Sequence, residues 1–173
     1  MSSEHETQKN WFDWAESFLA DWKVRDTEWH ESFSPCAEQV LELATQAALS
    51  LKHDAVGAEH LLAGVLKLNS GRGIAALRRA GLTLPSLREE IESERGVSGQ
   101  NKIKWPIPYT PRCMGILMRA QARIRGLGDV RVEVDDLLLE LLAEKDGLPA
   151  RIFRRRAIDI EEIRSAASTT RDQ

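Results

Sequence analysis

Four side chains in one short stretch are of types that do chemistry together, namely His53, Asp54, Glu59 and His60. Imidazole rings beside carboxylates can bind a metal ion or move protons. The spacing differs from the pattern of zinc enzymes, whose two histidines stand four residues apart on one helix face. Because histidines at helix boundaries commonly serve as caps, we interpret these residues as capping and packing groups. We predict neither a metal nor another cofactor.

The sequence contains no pattern that indicates a nucleophilic catalytic site or a nucleotide-binding site. Cys36 and Cys113 have no further cysteine or histidine at metal-ligand spacing, so both are predicted to be free thiols. No residues mark a positioned base or an oxyanion hole. The phosphate-binding pattern G-x-x-x-x-G-K-[ST] is absent from the sequence. We therefore predict a protein that is not an enzyme, with an enzyme as the remote alternative.

The charge balance also limits the partners. With 24 basic and 27 acidic residues, the net charge of −3 argues against a general nucleic-acid binder. A basic cluster near the end comprises Arg151, Arg154, Arg155 and Arg156, echoed by Arg78 and Arg79. We interpret it as a surface that pairs with local acids, with a docking patch for an acidic partner as the alternative. No apolar run is long enough to span a membrane, and the polar, acidic start predicts a cytoplasmic protein.

The first 32 residues contain four of the five tryptophans. Trp11, Trp14, Phe18 and Trp22 fall on one face of a predicted amphipathic helix. An apolar face of this size is usually buried against its own chain. A helix that binds a partner or dimerises is the alternative, because tryptophans are favoured interface anchors. Binding to a membrane surface is disfavoured because the polar face is acidic.

An internal duplication dominates the rest of the chain. A shift of 76 positions places residues 33–88 on residues 109–164 without a gap. Most of the matched positions are apolar, as the core of a repeated unit requires; examples are Leu41 on Leu117, Ala44 on Ala120 and Leu61 on Leu137.

Each unit has the pattern of helices throughout, and no alternating strand pattern of useful length occurs. Ser34 and Thr110 are good N-caps, each followed by a proline at the first helical position. We predict an all-α fold of two four-helix repeats. Five segments are expected: a tryptophan-rich extension with a helix (1–32), the first repeat (33–93), a linker (94–108), the second repeat (109–164) and a fraying C-terminal tail (165–173).

The first repeat resembles the Clp repeat of the N-terminal domains of ClpA- and ClpC-type AAA+ unfoldases. The resemblance rests on Phe33-Ser34-Pro35, on the string from Val56 to Leu66 that contains Gly57-Ala58-Glu59-His60-Leu61-Leu62, and on Gly81-Leu82. It covers about residues 33–164, more loosely in the second repeat. The tryptophan-rich extension lies outside the family pattern. The chain is similar to a stand-alone Clp N-terminal domain that lacks the ATPase modules.

The resemblance implies an all-α domain in which the two four-helix repeats are related by a pseudo-twofold axis and packed as one domain. It also implies a non-catalytic module whose partners are proteins: Clp unfoldase or protease components, adaptors or substrates. The alternative is a binding or regulatory protein that keeps the fold but acts outside the Clp system through its tryptophan-rich helix. Because relatives of the ClpC type bind phosphorylated arginine, the resemblance also implies two sites, Ser34 with Glu59 and Thr110 with Asp135. This sequence departs from the family pattern at Ala58, usually a threonine, and in the added acid Asp136. The oligomeric state is left open.

Overall fold

A computed structural model describes residue 29, residues 31–96, residue 103, residues 106–128 and residues 131–169. The helices of these residues run in the order α1 (Pro35–Ser50), α2 (Ala58–Leu68), α3 (Arg72–Arg79), α4 (Leu84–Arg95), α5 (Pro111–Gly126), α6 (Val134–Ala143), α7 (Leu148–Arg155) and α8 (Ile160–Ser168). Within this described part there is no strand, only two isolated backbone bridges. The prediction of an all-helical fold is confirmed.

The caps expected from the sequence form the starts of the first helix of each repeat. The Ser34 hydroxyl accepts a hydrogen bond from the backbone N–H of Ala37, and the Thr110 hydroxyl accepts one from Cys113, both at 3.2 Å. Each hydroxyl satisfies a backbone donor that has no partner inside its helix.

Two backbone bridges join the halves and show their pseudo-twofold relation. The N–H of Ser34 donates to the carbonyl of Val132, and the N–H of Thr110 donates to the carbonyl of Val56, both at 2.9 Å. Ser34 and Thr110 are 76 positions apart, and so are Val56 and Val132. The second contact is therefore the first contact with the two repeats exchanged. The Phe33 bridge to Val132 and the Val56 bridge to Tyr109 are parallel and follow the same rule. The internal duplication is therefore expressed in the tertiary structure.

The third helix of each repeat packs across the axis on the other repeat. Helix α3 lies against α8 and α6, while α7 lies against α2. Gly73 permits the first of these contacts, because an added Cβ would lie 2.6 Å from the Leu138 side chain and 2.7 Å from the Ala167 Cβ. This exchange makes one continuous core from both halves, with Phe33 and Phe153 among its fully buried side chains.

The chain end differs from the sequence expectation. Residues 165–168 were expected to fray, yet they form the last turn of α8, which ends at Ser168. Ala167 is buried there against α3. The small side chain that made this segment look weak is what lets the two helices approach.

Candidate functional site

The four predicted site residues lie at the two places where the halves meet. Thr110 is bonded through its backbone to Val56, which precedes Glu59 by three residues. In the same way, Ser34 is bonded to Val132, three residues before Asp135. At each place the N-terminus of one repeat's first helix therefore adjoins that of the other repeat's second helix. Glu59 adjoins Thr110, and Asp135 adjoins Ser34.

This arrangement differs from the pairs that the resemblance implies, Ser34 with Glu59 and Thr110 with Asp135. Each of those pairs lies within one repeat, whereas the observed neighbours come from different repeats. Helices α1 and α2 form an antiparallel hairpin, since Gly64 packs on Val40 and Ala44 after the chain reverses between residues 51 and 57. Ser34 and Glu59 are on opposite sides of that crossing, about 20 Å apart at 1.5 Å per helical residue. The missed signal is the pseudo-twofold axis itself, which assigns each hydroxyl to the carboxylate of the other repeat.

Glu59 is buried, with 6% of its surface exposed, and forms an ion pair with Arg95 at the end of α4. Gly57 makes room for this carboxylate, since an added Cβ would lie 2.6 Å from both carboxylate oxygens. Burial and the Glu59 charge raise the pKa of the neighbouring Cys113 thiol to about 12. Arg95 was not predictable, because it is 36 residues away from Glu59 and no local signal in the sequence connects the two.

His60 caps α2, and His53 extends its hydrogen bonds. The Nδ1 atom of His60 accepts from the Gly57 N–H at 2.9 Å, so its Nε2–H donates to His53 Nδ1 at 2.8 Å. The Nε2–H of His53 then donates to the Gly96 carbonyl at 3.0 Å. Burial above all, with the nearby His53 and Arg95 charges, lowers the pKa of His60 to about 4. The interpretation of these histidines as capping and packing groups is confirmed.

The acids of the second half have other partners. Asp135 accepts from the backbone N–H of Gly73 at 3.2 Å and is 5% exposed. Its neighbour Asp136 occupies the position of His60, accepting from the Glu133 N–H at 2.7 Å and from Arg123 at 2.5 Å. Burial raises the pKa of Asp136 despite these two donors. This end therefore holds two buried carboxylates side by side, where the first half has Glu59 and the neutral ring of His60.

Most of the basic cluster pairs with local acids, as predicted. Arg155 contacts Glu90 and Glu94 on α4, at 2.5 and 2.7 Å. Arg151 pairs with Glu94 and Arg156 with Glu90. These ion pairs attach α7 to α4.

Further predictions meet the structure in different ways. Cys36 and Cys113 are free thiols, the first exposed and the second buried. No group of three metal-binding side chains occurs among the residues that the structure describes. None of the described helices is long and apolar enough to cross a membrane. The predicted amphipathic helix with Trp11, Trp14, Phe18 and Trp22, for which partner binding is the alternative, lies outside the described residues.

Comparisons with known proteins identify the family. The chain matches the model of the Clp repeat N-terminal domain over residues 32–156. It is 36% identical over 135 residues to an ATP-dependent Clp protease ATP-binding subunit, ClpA homolog, of Cyanidium caldarium, and 33% identical over 132 residues to the negative regulator of genetic competence ClpC/MecB of Bacillus subtilis. These alignments cover 78% and 76% of this chain but only 16% of either relative.

Solved structures agree on the fold. The N-terminal domain of ClpD from Arabidopsis thaliana superposes with a TM-score of 0.68 at 19% identity, over 83% of this chain and 96% of that one. A ClpV N-domain in complex with a VipB peptide superposes with a TM-score of 0.59 at 18% identity, over 80% and 85% of the two chains. The chain therefore belongs to the Clp N-terminal domain family, whose repeat is present here twice.

Proposed function

We propose that this chain is a non-catalytic, cytoplasmic protein-binding module that recognises substrates or adaptors of Clp unfoldases, or regulates the Clp machinery. The observation that carries this proposal is the family match over residues 32–156, which spans both repeats and aligns with the Clp subunits ClpA and ClpC. The solved complex of a ClpV N-domain with a VipB peptide is a case in which a domain of this fold holds a peptide.

We assign the recognition sites to the two places where helix N-termini of the two halves meet. Glu59 supports recognition of a guanidinium group, because its buried carboxylate already holds the guanidinium of Arg95. The hydroxyl of Thr110 and the adjoining backbone N–H groups are suited to a phosphate on the same ligand. At the other end, Ser34 and Asp135 have the corresponding positions. Asp136 adds negative charge there, which disfavours a phosphorylated ligand.

A degradation assay tests the protein-binding function. The purified chain is titrated into a reaction of the Clp unfoldase and peptidase of the same organism with a fluorescent, adaptor-dependent substrate. We expect a saturable change in the degradation rate, because the chain competes for substrate or adaptor or delivers it. Cleavage of a short peptide by the peptidase alone serves as the control and should stay constant. An unchanged degradation rate, with no binding to unfoldase or adaptor in a pull-down, would contradict the proposal and favour a role outside the Clp system.

Calorimetry with phosphoarginine tests the ligand separately, with arginine and inorganic phosphate as controls. Glu59→Gln should remove binding at the first site, because the amide cannot pair with a guanidinium as a charged acceptor. Arg95→Ala should tighten binding severalfold, because it removes the competing guanidinium inside the chain. The ligand assignment fails if neither the wild type nor Arg95→Ala binds phosphoarginine better than the two controls. Such a failure leaves the result of the degradation assay unchanged.

A further inference from the structure

A groove of about 400 Å³ lies on the first half, between α1, α2 and α4. Its walls are mainly apolar and its rim carries the basic side chains; the lining residues are Leu43, Gln46, Ala47, Ser50, Leu51, Ala63, Lys67, Leu84, Pro85, Arg88 and Ile91. The volume is in the range of about 300–1,000 Å³ typical of pockets that hold drug-sized groups. It therefore admits large ring side chains from a helix that lies across it.

At the equivalent positions of the second half, charged side chains replace apolar ones. The counterparts of Leu43 and Ala47 are Arg119 and Arg123, which form ion pairs with the acids of α6. Two large apolar side chains are strongly exposed in the described part, Met118 at 58% and Leu127 at 61%. Met118 lies within α5 and Leu127 follows its last residue, nine positions further along the chain. Neither offers a continuous surface for a helix.

The segment before the described fold has matching properties. Trp11, Trp14, Phe18 and Trp22 fall on one face of the helix that the sequence predicts, and residues 1–28 carry seven acidic and three basic residues. The groove rim presents Lys67, and Arg88, whose charge is partly balanced by Glu92 at 2.8 Å. Apolar walls with a basic rim complement an acidic helix with an aromatic face.

The connection is also long enough. Trp29 is fixed at the start of α1, where its ring centroid lies 5.2 Å from that of Phe33. The groove is centred near Ala47, about 18 Å along α1 at 1.5 Å per residue. The seven residues from Trp22 to Trp29 reach about 24 Å when extended. A helix over residues 11–22 can thus lie on the groove of its own chain.

We infer that residues 11–22 form a helix whose tryptophan face occupies this groove in the same chain. The tryptophan-rich segment then covers the apolar surface between α1, α2 and α4. This intramolecular interface is independent of the partner proposed for the recognition sites.

A spin label in the groove tests the interface in the full chain. Ser50→Cys is labelled in a Cys36→Ser background, because Cys113 is buried and its high pKa keeps it unreactive. The indole N–H signals of the tryptophans are recorded by NMR and assigned by single Trp→Phe substitutions. We expect the Trp11, Trp14 and Trp22 signals to lose most of their intensity.

Gly126→Cys is the matched control, since it is the counterpart of Ser50 in the second half and an added Cβ there meets nothing. It lies at the far end of α5, so its label should leave those three signals intact. Equal effects from both labels, or none from either, would overturn the inference. Broadening only when labelled and isotope-enriched chains are mixed would assign the groove to a second copy, and would overturn it as well.

Charge reversal on the groove rim gives a second measurement. Lys67→Glu should lower the docked-to-undocked ratio about fivefold, because it places a like charge beside the acidic helix. The change is seen as recovered indole intensity and as stronger quenching by acrylamide. Lys145→Glu makes the same charge change at an exposed position outside the groove and should have no effect. Equal behaviour of the two variants would contradict the interface.

Discussion

The first two helices of each repeat pack against each other in both halves, but the contacts between them differ. In the first half, α1 and α2 pack closely, because Gly64 presents no side chain toward α1. An added Cβ at Gly64 would lie 2.5 Å from the Val40 carbonyl oxygen and 3.0 Å from the Ala44 nitrogen. In the second half Glu140 occupies the position of Gly64, so α5 and α6 cannot approach in that way.

Ion pairs take the place of close packing between α5 and α6. Arg123 bridges Asp136 and Glu140, at 2.5 and 3.3 Å. Arg119 also contacts Glu140, and Arg112 pairs with Glu144 at 2.7 Å. The corresponding residues of the first half are uncharged or weakly basic; they are Cys36, Leu43, Ala47, His60, Gly64 and Leu68. The same pair of helices is therefore held by close packing in one repeat and by ion pairs in the other.

The difference also affects which surfaces are available. Leu43 and Ala47 leave an apolar groove on the first half, whereas Arg119 and Arg123 place charges at the same positions of the second. Duplication followed by divergence of a few helix-face residues therefore yields two unlike surfaces on one rigid frame. The backbone bridges remain equivalent throughout.

Acid should act on the two halves in opposite directions, which is the largest effect we expect. The pKa of His60 is lowered to about 4 in the fold, while an unfolded histidine titrates near 6.5. As the pH falls from 6.5 to 4, the unfolded state gains the proton first. The folded state should therefore lose about 3 kcal/mol of stability through this group. The raised pKa of Asp136 has the reverse sign, because the folded state takes up that proton before the unfolded one.

Urea unfolding between pH 7 and pH 4 separates the two contributions. His60→Gln keeps an acceptor for the Gly57 N–H but does not titrate, so it should flatten the stability profile. Asp136→Asn should steepen it, since it removes the group that opposes the loss. A wild-type profile that coincides with that of His60→Gln would contradict a buried neutral His60.

A methyl group at Gly64 should distinguish the two modes of packing. Gly64→Ala should cost about 2 kcal/mol of unfolding free energy, because the added carbon overlaps backbone atoms of α1 that cannot move freely. Thermal or urea unfolding measures the loss. The same change at Gly115 on α5 is the control, where the added carbon meets only the flexible end of Arg119 at 3.3 Å. Gly115→Ala should be neutral or slightly stabilising, and equal losses would refute the close-packing explanation.

Removing one arginine from the second half should have the smallest effect. Arg123→Ala installs the residue that the first half carries at this position and removes the Arg123 guanidinium from the buried Asp136. We expect a loss of about 1 kcal/mol, accompanied by a further rise in the pKa of Asp136. Arg112→Ala is the control: its side chain is 44% exposed, so its loss should be smaller and reduced by salt. Similar losses for both, with similar salt dependence, would contradict an important role for the Arg123 pair.

The helices were predictable from local signals. Ser34-Pro35 and Thr110-Pro111 mark helix starts because hydroxyl caps and proline at the first position act within one turn. The duplication was also predictable, because apolar positions that match after a shift of 76 residues imply a repeated core. The pairing of Arg155 with nearby acids was also expected, although the choice of Glu90 and Glu94 was not.

The site was only partly predictable. Glu59 and Asp135 were identified through the resemblance, but each was assigned the hydroxyl of its own repeat. Contacts such as Arg95 with Glu59 or Gly73 with Asp135 join residues 36 and 62 positions apart. No periodicity connects such distant positions. Arg95 meets Glu59 when α4 packs on α2 within the first half, and Gly73 meets Asp135 when α3 packs across on the other repeat.

Local signals in the sequence suffice for the helices and for caps such as those of Ser34 and Thr110, and a fixed shift reveals the duplicated plan. Packing decides which hydroxyl adjoins which carboxylate and which third helix crosses to which half. These contacts depend on what lies across the core, and the pseudo-twofold axis puts the residues of the other repeat there.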